Sequence, residues 1–199
     1  MTVPKNRNQI CFIDFETTGV NVFEDEPIEF GAVLVNEQLE VIDTFYSRIK
    51  PSPGRAIREA AYKIHHITLD ELADAPNQLE VLYNFFLKFG TDFRLAGWNI
   101  GFDITIFRRM CHENLMMDSY NKLNHRHIDV QSFNFLANQI SLLPVKTNSL
   151  SDLVAFYHLN RSDSHSALED AELTFQVYKR LLEDFKVSVT SAFRSSEDY

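Results

Sequence analysis

"CFIDFETTG", residues 11–19, is the stretch on which the reading of the fold turns. Together with Gln9 and Ile10 it opens as QICFIDF, apolar almost throughout, which is the pattern of a central strand buried on both faces. The run finishes in two carboxylates, Asp14 and Glu16, and then in Thr17, Thr18 and Gly19, which read as a turn. Residues i and i+2 of a strand point to the same face, so Asp14 and Glu16 project side by side, about 7 Å apart along the strand. Two anions held that close repel each other and are costly unless a positive charge lies between them. Hard oxygen donors suit Mg²⁺ or Mn²⁺. A chain with 28 acidic residues also carries such triplets by chance, as VFEDE at 22–26 shows, and a solvated strand end needs no ion. The apolar run before the pair and the turn after it are what make it a candidate site.

Outward from this strand, PIEFGAVLV (27–35) and LEVIDTFYSRIK (39–50), separated by Asn36, Glu37 and Gln38, predict an antiparallel hairpin that KPSPG stops. Helical patterns follow at 58–67 and at 77–90, where Leu79, Leu82, Phe86 and Phe89 form the expected apolar stripe before Gly90. FRLAGWN predicts a short strand. The segment after it predicts a helix with Phe102, Ile106, Met110 and, less regularly, Leu115 on one side. HIDV reads as a last short strand, and 130–140, 148–159 and 167–185 as helices. Ser166 and Glu169 form a capping box for the last one. The order places all 199 residues in one α/β domain with a mixed sheet, its core spanning about 9–186 and a polar, frayed tail at 187–199.

The chain is 45% hydrophobic, enough for a core, and carries a formal net charge of -9. That balance excludes a protein that holds long duplexes by charge alone, because phosphate contacts come from Lys and Arg. A nucleic-acid substrate would need local basic patches or bound cations to offset repulsion. Arg55, Arg58, Lys63, Arg108 and Arg109 are the basic candidates, although a solvated surface explains most of them. Cys11 and Cys111 read as reduced thiols. MTVPKNRNQ has no secretory character, and no apolar run reaches the ~18 residues of a membrane span. The expectation is a cytoplasmic chain with no membrane partner.

Three further acid or histidine positions stand out. Asp103 ends GWNIGFD as a helix opens, where an acid also complements the helix dipole. Asp170 lies one turn inside the last helix and shares a stripe with Thr174, Val177 and Leu181, so it faces protein and needs a partner. His165 precedes that helix by a serine and, taken singly, reads as a loop histidine. Together, DFETTG, NIGFD and HSALEDA resemble the three motifs of the DnaQ-type 3′–5′ exonucleases, the group with four acids and a histidine in the third motif. The likeness spans roughly residues 10–182 and includes the five positions from His165 to Asp170.

This resemblance implies a ribonuclease-H-like fold: a mixed five-stranded sheet, three antiparallel strands first, flanked by helices. It implies that Asp14, Glu16, Asp103 and Asp170 hold two divalent cations, Mg²⁺ or Mn²⁺, with His165 as general base. It further implies substrate contacts from Thr17 and Thr18 at the terminal 3′-hydroxyl, from Ile67 against the last base, and from Gly19, His65, Trp98, Asn99 and Phe102, of which Trp98 and Phe102 could stack with a base. Core packing is an equal reading for Phe102. The chain departs from the family where Trp98-Asn99 stands for His-Asn and His65-His66-Ile67 for His-Gly-Ile. The expected reaction is removal of nucleoside 5′-monophosphates from a 3′ end, DNA favoured over RNA. Exoribonuclease and endonuclease activities are the alternatives, as is an accessory module for a DNA polymerase or sliding clamp. QISLLP (139–144) is similar to clamp-binding peptides, but a helix end with buried leucines explains it better.

Overall fold

The computed structural model describes residues 9–162 and 166–196. Among the described residues the first elements are strand β1 (Gln9–Thr17), then β2 (Pro27–Val35) and β3 (Val41–Arg48). Helices α1 (Glu59–His65) and α2 (Gln78–Phe89) precede β4 (Phe93–Gly97). Helices α3 (Gly101–Glu113) and α4 (Met117–Tyr120) lead to β5 (Asn124–Asp129), and α5 (Val130–Gln139), α6 (Leu150–Phe156) and α7 (Ala167–Ser196) complete the fold. The sheet order is β3-β2-β1-β4-β5, with β1 antiparallel to β2, β2 antiparallel to β3, and β4 parallel to both β1 and β5. This is the mixed five-stranded, ribonuclease-H-like sheet flanked by helices that the resemblance implies.

Strand parity divides the core in two. Cys11, Ile13 and Phe15 of β1 enter a phenylalanine-rich layer with Phe30, Phe45 and the inner faces of α2 and α3. Ile10 and Phe12 enter the opposite layer, with Val33, Val35, α5, α6 and α7. Continuing the even series, Asp14 and Glu16 lie on the α7 side. Phe15 is stacked on Phe30 at 4.2 Å between ring centres, so the strand end that carries the acids rests on packed aromatics.

Some expectations change. Helix α2 buries Val81, Leu82, Phe85 and Phe89, whereas Leu79 is exposed. Apolar residues occupy most of its positions, so several stripes fit the same period. Leu115 lies outside α3, is 93% exposed and has φ 56°, because the helix has already ended at Glu113. The last helix runs to Ser196 rather than 185: no Gly or Pro interrupts it, and Thr190 Oγ1 donates to the Lys186 carbonyl inside the expected tail. The capping box at its start is half formed. Ser166 Oγ accepts from the Glu169 N–H, but the Glu169 carboxylate accepts from Ser162 instead. Cys11 and Cys111 are both buried free thiols. Among the described residues no helix is long and apolar enough to cross a membrane.

Candidate active site

Three elements deliver the acids. β1 pairs with β4 only as far as Phe12, so its last residues leave backbone groups open on that side. Asp103, in the first turn of α3 and 4% exposed, closes this gap: its Oδ1 accepts from the Phe15 N–H at 3.1 Å. Asp170 approaches from α7 on the same face of the sheet as Asp14 and Glu16. Carboxylate oxygens of Asp14, Glu16 and Asp170 all lie within 4.8 Å of one another. The three thus share one centre, with Asp103 beside it. Its negative charge is the largest neighbouring influence on Asp14.

The electrostatics are those of crowded, desolvated anions. Burial first, then Asp103, Asp170, Glu16 and Glu29, hold Asp14 well above the usual carboxylate range. Glu16 is pushed up to about 8 by burial, then by Asp170, Glu29 and Asp103, while Arg161 works the other way. Asp103 is pushed up to about 8, mainly by burial. Arg161 brings a positive charge into the cluster, its Nη2 lying 2.6 Å from Asp170 Oδ1. With Arg161 in place Glu16 still stands at about 8. The all-oxygen donor set and the mutual repulsion that raises Asp14 and Glu16 fit hard divalent cations.

The other predicted residues are placed differently from one another. Thr17 Oγ1 donates to the Gly19 carbonyl, and Thr18 Oγ1, fully buried, bonds Asp25 and accepts from the Glu26 N–H. Gly19 lies where a Cβ would meet Arg58 and Asp25. His65 is buried, and its Nδ1 accepts from the Ile67 N–H at 3.0 Å. Ile67 packs with Ile28 and Leu72. Trp98 is half-buried against the α7-side core and Phe102 against the phenylalanine layer. Asn99 is exposed, sits at φ 53°, and its N–H donates to Asp129, which also caps α5. His66 takes φ 57° at the end of α1, where the family often has glycine. In QISLLP, Leu143 is buried and Leu142 partly so. His165 lies outside the described residues.

Sequence reasoning missed the bracing of the loop between β1 and β2. Asp25, buried, accepts from Arg58 Nε, the Asn21 N–H and Thr18 Oγ1. Arg109 donates to the Val22 carbonyl at 2.6 Å and to that of Asp25, so it is not a free phosphate contact. Arg55, Arg58 and Lys63 are likewise paired, with Glu26, with Asp25 and Glu24, and with Glu59. From this braced loop Val20 and Phe23 project, Phe23 being 86% exposed. Glu29 of β2 was also missed. It is 3% exposed and directly opposite Glu16 in the strand register. An acid inside an apolar strand was the available signal.

The model of the exonuclease family (RNase_T: Exonuclease) matches residues 11–178. The chain belongs to this family. Among relatives, it is 33% identical over 174 residues to the PolC-type DNA polymerase III of Thermotoga maritima, covering 87% of this chain and 12% of that protein. It is 34% identical over 181 residues to the DNA polymerase III epsilon subunit of Buchnera aphidicola subsp. Baizongia pistaciae, covering 87% of this chain and 71% of the subunit. The chain therefore spans only a small part of its PolC-type relatives. Among solved structures, Escherichia coli exonuclease I in complex with a dT13 oligonucleotide superposes with a TM-score of 0.79 at 20% identity, over 94% of this chain and 43% of that one. That likeness supports the exonuclease fold.

Proposed function

We propose that this chain is a metal-dependent 3′–5′ exonuclease that removes nucleoside 5′-monophosphates from single-stranded or frayed DNA ends. The observation that carries the reading is the convergence of Asp14, Glu16 and Asp170 within 4.8 Å, with buried Asp103 alongside. These four acids would hold the divalent cations, and Mg²⁺ or Mn²⁺ bound there would supply Lewis-acid stabilisation of charge at the reacting phosphate. Asp14, the acid most crowded by others, is the proposed shared ligand. Asp103 is held in place by the Phe15 N–H. His165, by its spacing from Asp170, is the proposed general base. An unperturbed histidine titrates near ~6.5, suited to taking a proton from the attacking water. Val20 and Phe23, exposed on the braced loop that leaves β1, are the proposed apolar platform for bases.

The polymerase III relatives and the dT13-bound neighbour support DNA over RNA as substrate. They also support a replicative polymerase as the proposed partner. The burial of Leu143 argues against QISLLP as the point of attachment.

The test is digestion of 5′-labelled DNA and RNA strands of one sequence in Mn²⁺. Expected is a ladder shortening from the 3′ end, faster on DNA, and absent in Asp14→Ala and Asp170→Ala. His165→Ala should lose about 10²–10⁴-fold in rate. Cleavage that persists in either Asp variant refutes the site, and RNA degraded as fast as DNA refutes the substrate.

A further inference from the structure

We propose that Glu29 is a positioning residue that clamps the first peptide of α7 to the sheet and so sets where Asp170 enters the acid cluster. This rests on the exonuclease reading above and deepens it. A carboxylate at this position calls for a reason, because it lies directly across the sheet from Glu16, and like charges directly opposite each other are destabilising. Both of its oxygens are engaged. Oε2 accepts from the Ala167 N–H at 2.8 Å, and Oε1 accepts from the Tyr46 hydroxyl at 2.6 Å.

Strand parity explains the arrangement. On β2, Val33 and Val35 face α7, so Gly31 and Glu29 face it too. On β3, Phe45 belongs to the opposite layer, so Tyr46 shares the α7 face, with Gly31 as its partner in register. Gly31 lacks the Cβ that would collide with the Ala167–Leu168 peptide, which lets the helix start rest directly on the strand. Ala167 is the first residue of α7, and its N–H is one of the donors that a helix leaves without an internal acceptor. A carboxylate there also complements the helix dipole. Asp170 follows three residues later, less than one turn of rigid helix away. Gly31 thus fixes the depth of the helix start, Glu29 holds its first amide, and Tyr46 orients Glu29. The reach of Asp170 toward Asp14 and Glu16 is anchored from the neighbouring strands β2 and β3.

The test compares Glu29→Ala, Glu29→Gln and Tyr46→Phe in the full chain by hydrogen exchange and by steady-state kinetics on single-stranded DNA in saturating Mn²⁺. Glu29→Ala should raise exchange in the segment 166–170 by about tenfold, as loss of one hydrogen bond would, with β1 unchanged. It should lower kcat by about 10- to 100-fold, the scale of a 1 Å misplacement, with KM within about threefold. Glu29→Gln can accept from Ala167 and donate to the Tyr46 oxygen, so it should recover kcat to within about threefold of wild type. Glu29→Ala with wild-type kcat, or with unchanged local exchange, overturns the proposal. Where Glu29→Ala does not fold, Tyr46→Phe decides: a several-fold fall in kcat supports the clamp, and wild-type kcat with unchanged exchange overturns it. A wild-type chain without nuclease activity refutes the functional reading instead, and exchange at 166–170 still judges the clamp.

Discussion

Without divalent cations, the chain should lose stability as pH rises from 5 to 9, and Asp14→Asn should remove much of that loss. Glu16 moves from 4.5 to about 8 and Asp103 from 3.8 to about 8. A carboxyl whose pKa is raised by folding holds its proton more tightly in the folded chain. Its contribution is therefore fully present below about pH 4 and is lost as pH climbs through about 8. At ~1.4 kcal/mol per pH unit, the shift of Glu16 alone corresponds to about 5 kcal/mol. The acids share one field, so the shifts do not add. In a domain of this size 5 kcal/mol lowers Tm by about 10–20 °C. Asp14→Asn removes the central charge and should fall by about half as much. His65 works in the opposite sense, because burial lowers its pKa and its contribution is lost as pH falls below about 6.5. It is present in both proteins and cancels in the comparison. The assay is thermal unfolding by circular dichroism in chelator, repeated with millimolar Mn²⁺, where the increment from the cation should be largest at high pH. A metal-free Tm that stays level from pH 7 to 9 and matches Asp14→Asn throughout would refute the argument.

Other consequences can be checked singly. His66→Gly should raise Tm by about 2–4 °C, since φ 57° costs a side chain about 1–2 kcal/mol, part of which glycine's extra unfolded-state freedom offsets. Phe23→Ala should weaken binding of single-stranded oligomers by about 5- to 100-fold, the worth of one stacked base, with Tm unchanged. Arg109→Ala strips the donors from the Val22 and Asp25 carbonyls and should cost about 1–3 kcal/mol, with faster hydrogen exchange in residues 19–26 read by mass spectrometry.

β1 and β2 were legible as strands because they are apolar runs bounded by turn residues, and the β2–β3 hairpin by its short polar connection, whereas the antiparallel pairing of β1 with β2 came with the family resemblance. Strand and helix periods fix the faces of the acids of β1 and α7, but their grouping into one site with Asp103 was legible only through the resemblance of DFETTG, NIGFD and HSALEDA to the exonuclease motifs. The face of α2 was not, since Leu79, Leu82, Phe86 and Phe89 fit a helical stripe as well as the buried Val81, Leu82, Phe85 and Phe89 do. The surroundings of Thr18, His65 and Ile67 depend on tertiary packing. Asp25 looked like one more acid in VFEDE until the fold brought Arg58 to it from 33 residues away. Glu29 needed the partner at Ala167, 138 residues along, before its burial made sense.

The side chains of β1 alternate between the two core layers. Phe12, Asp14 and Glu16 share one side, and Ile13 and Phe15 the other. A single inserted or deleted residue upstream of Asp14 that slipped the strand by one place would exchange these sides. It would drive both acids into the phenylalanine layer and turn Phe15 toward Asp170. Foldability and chemistry are thus written in the same register, and neither can drift by one residue without losing the other.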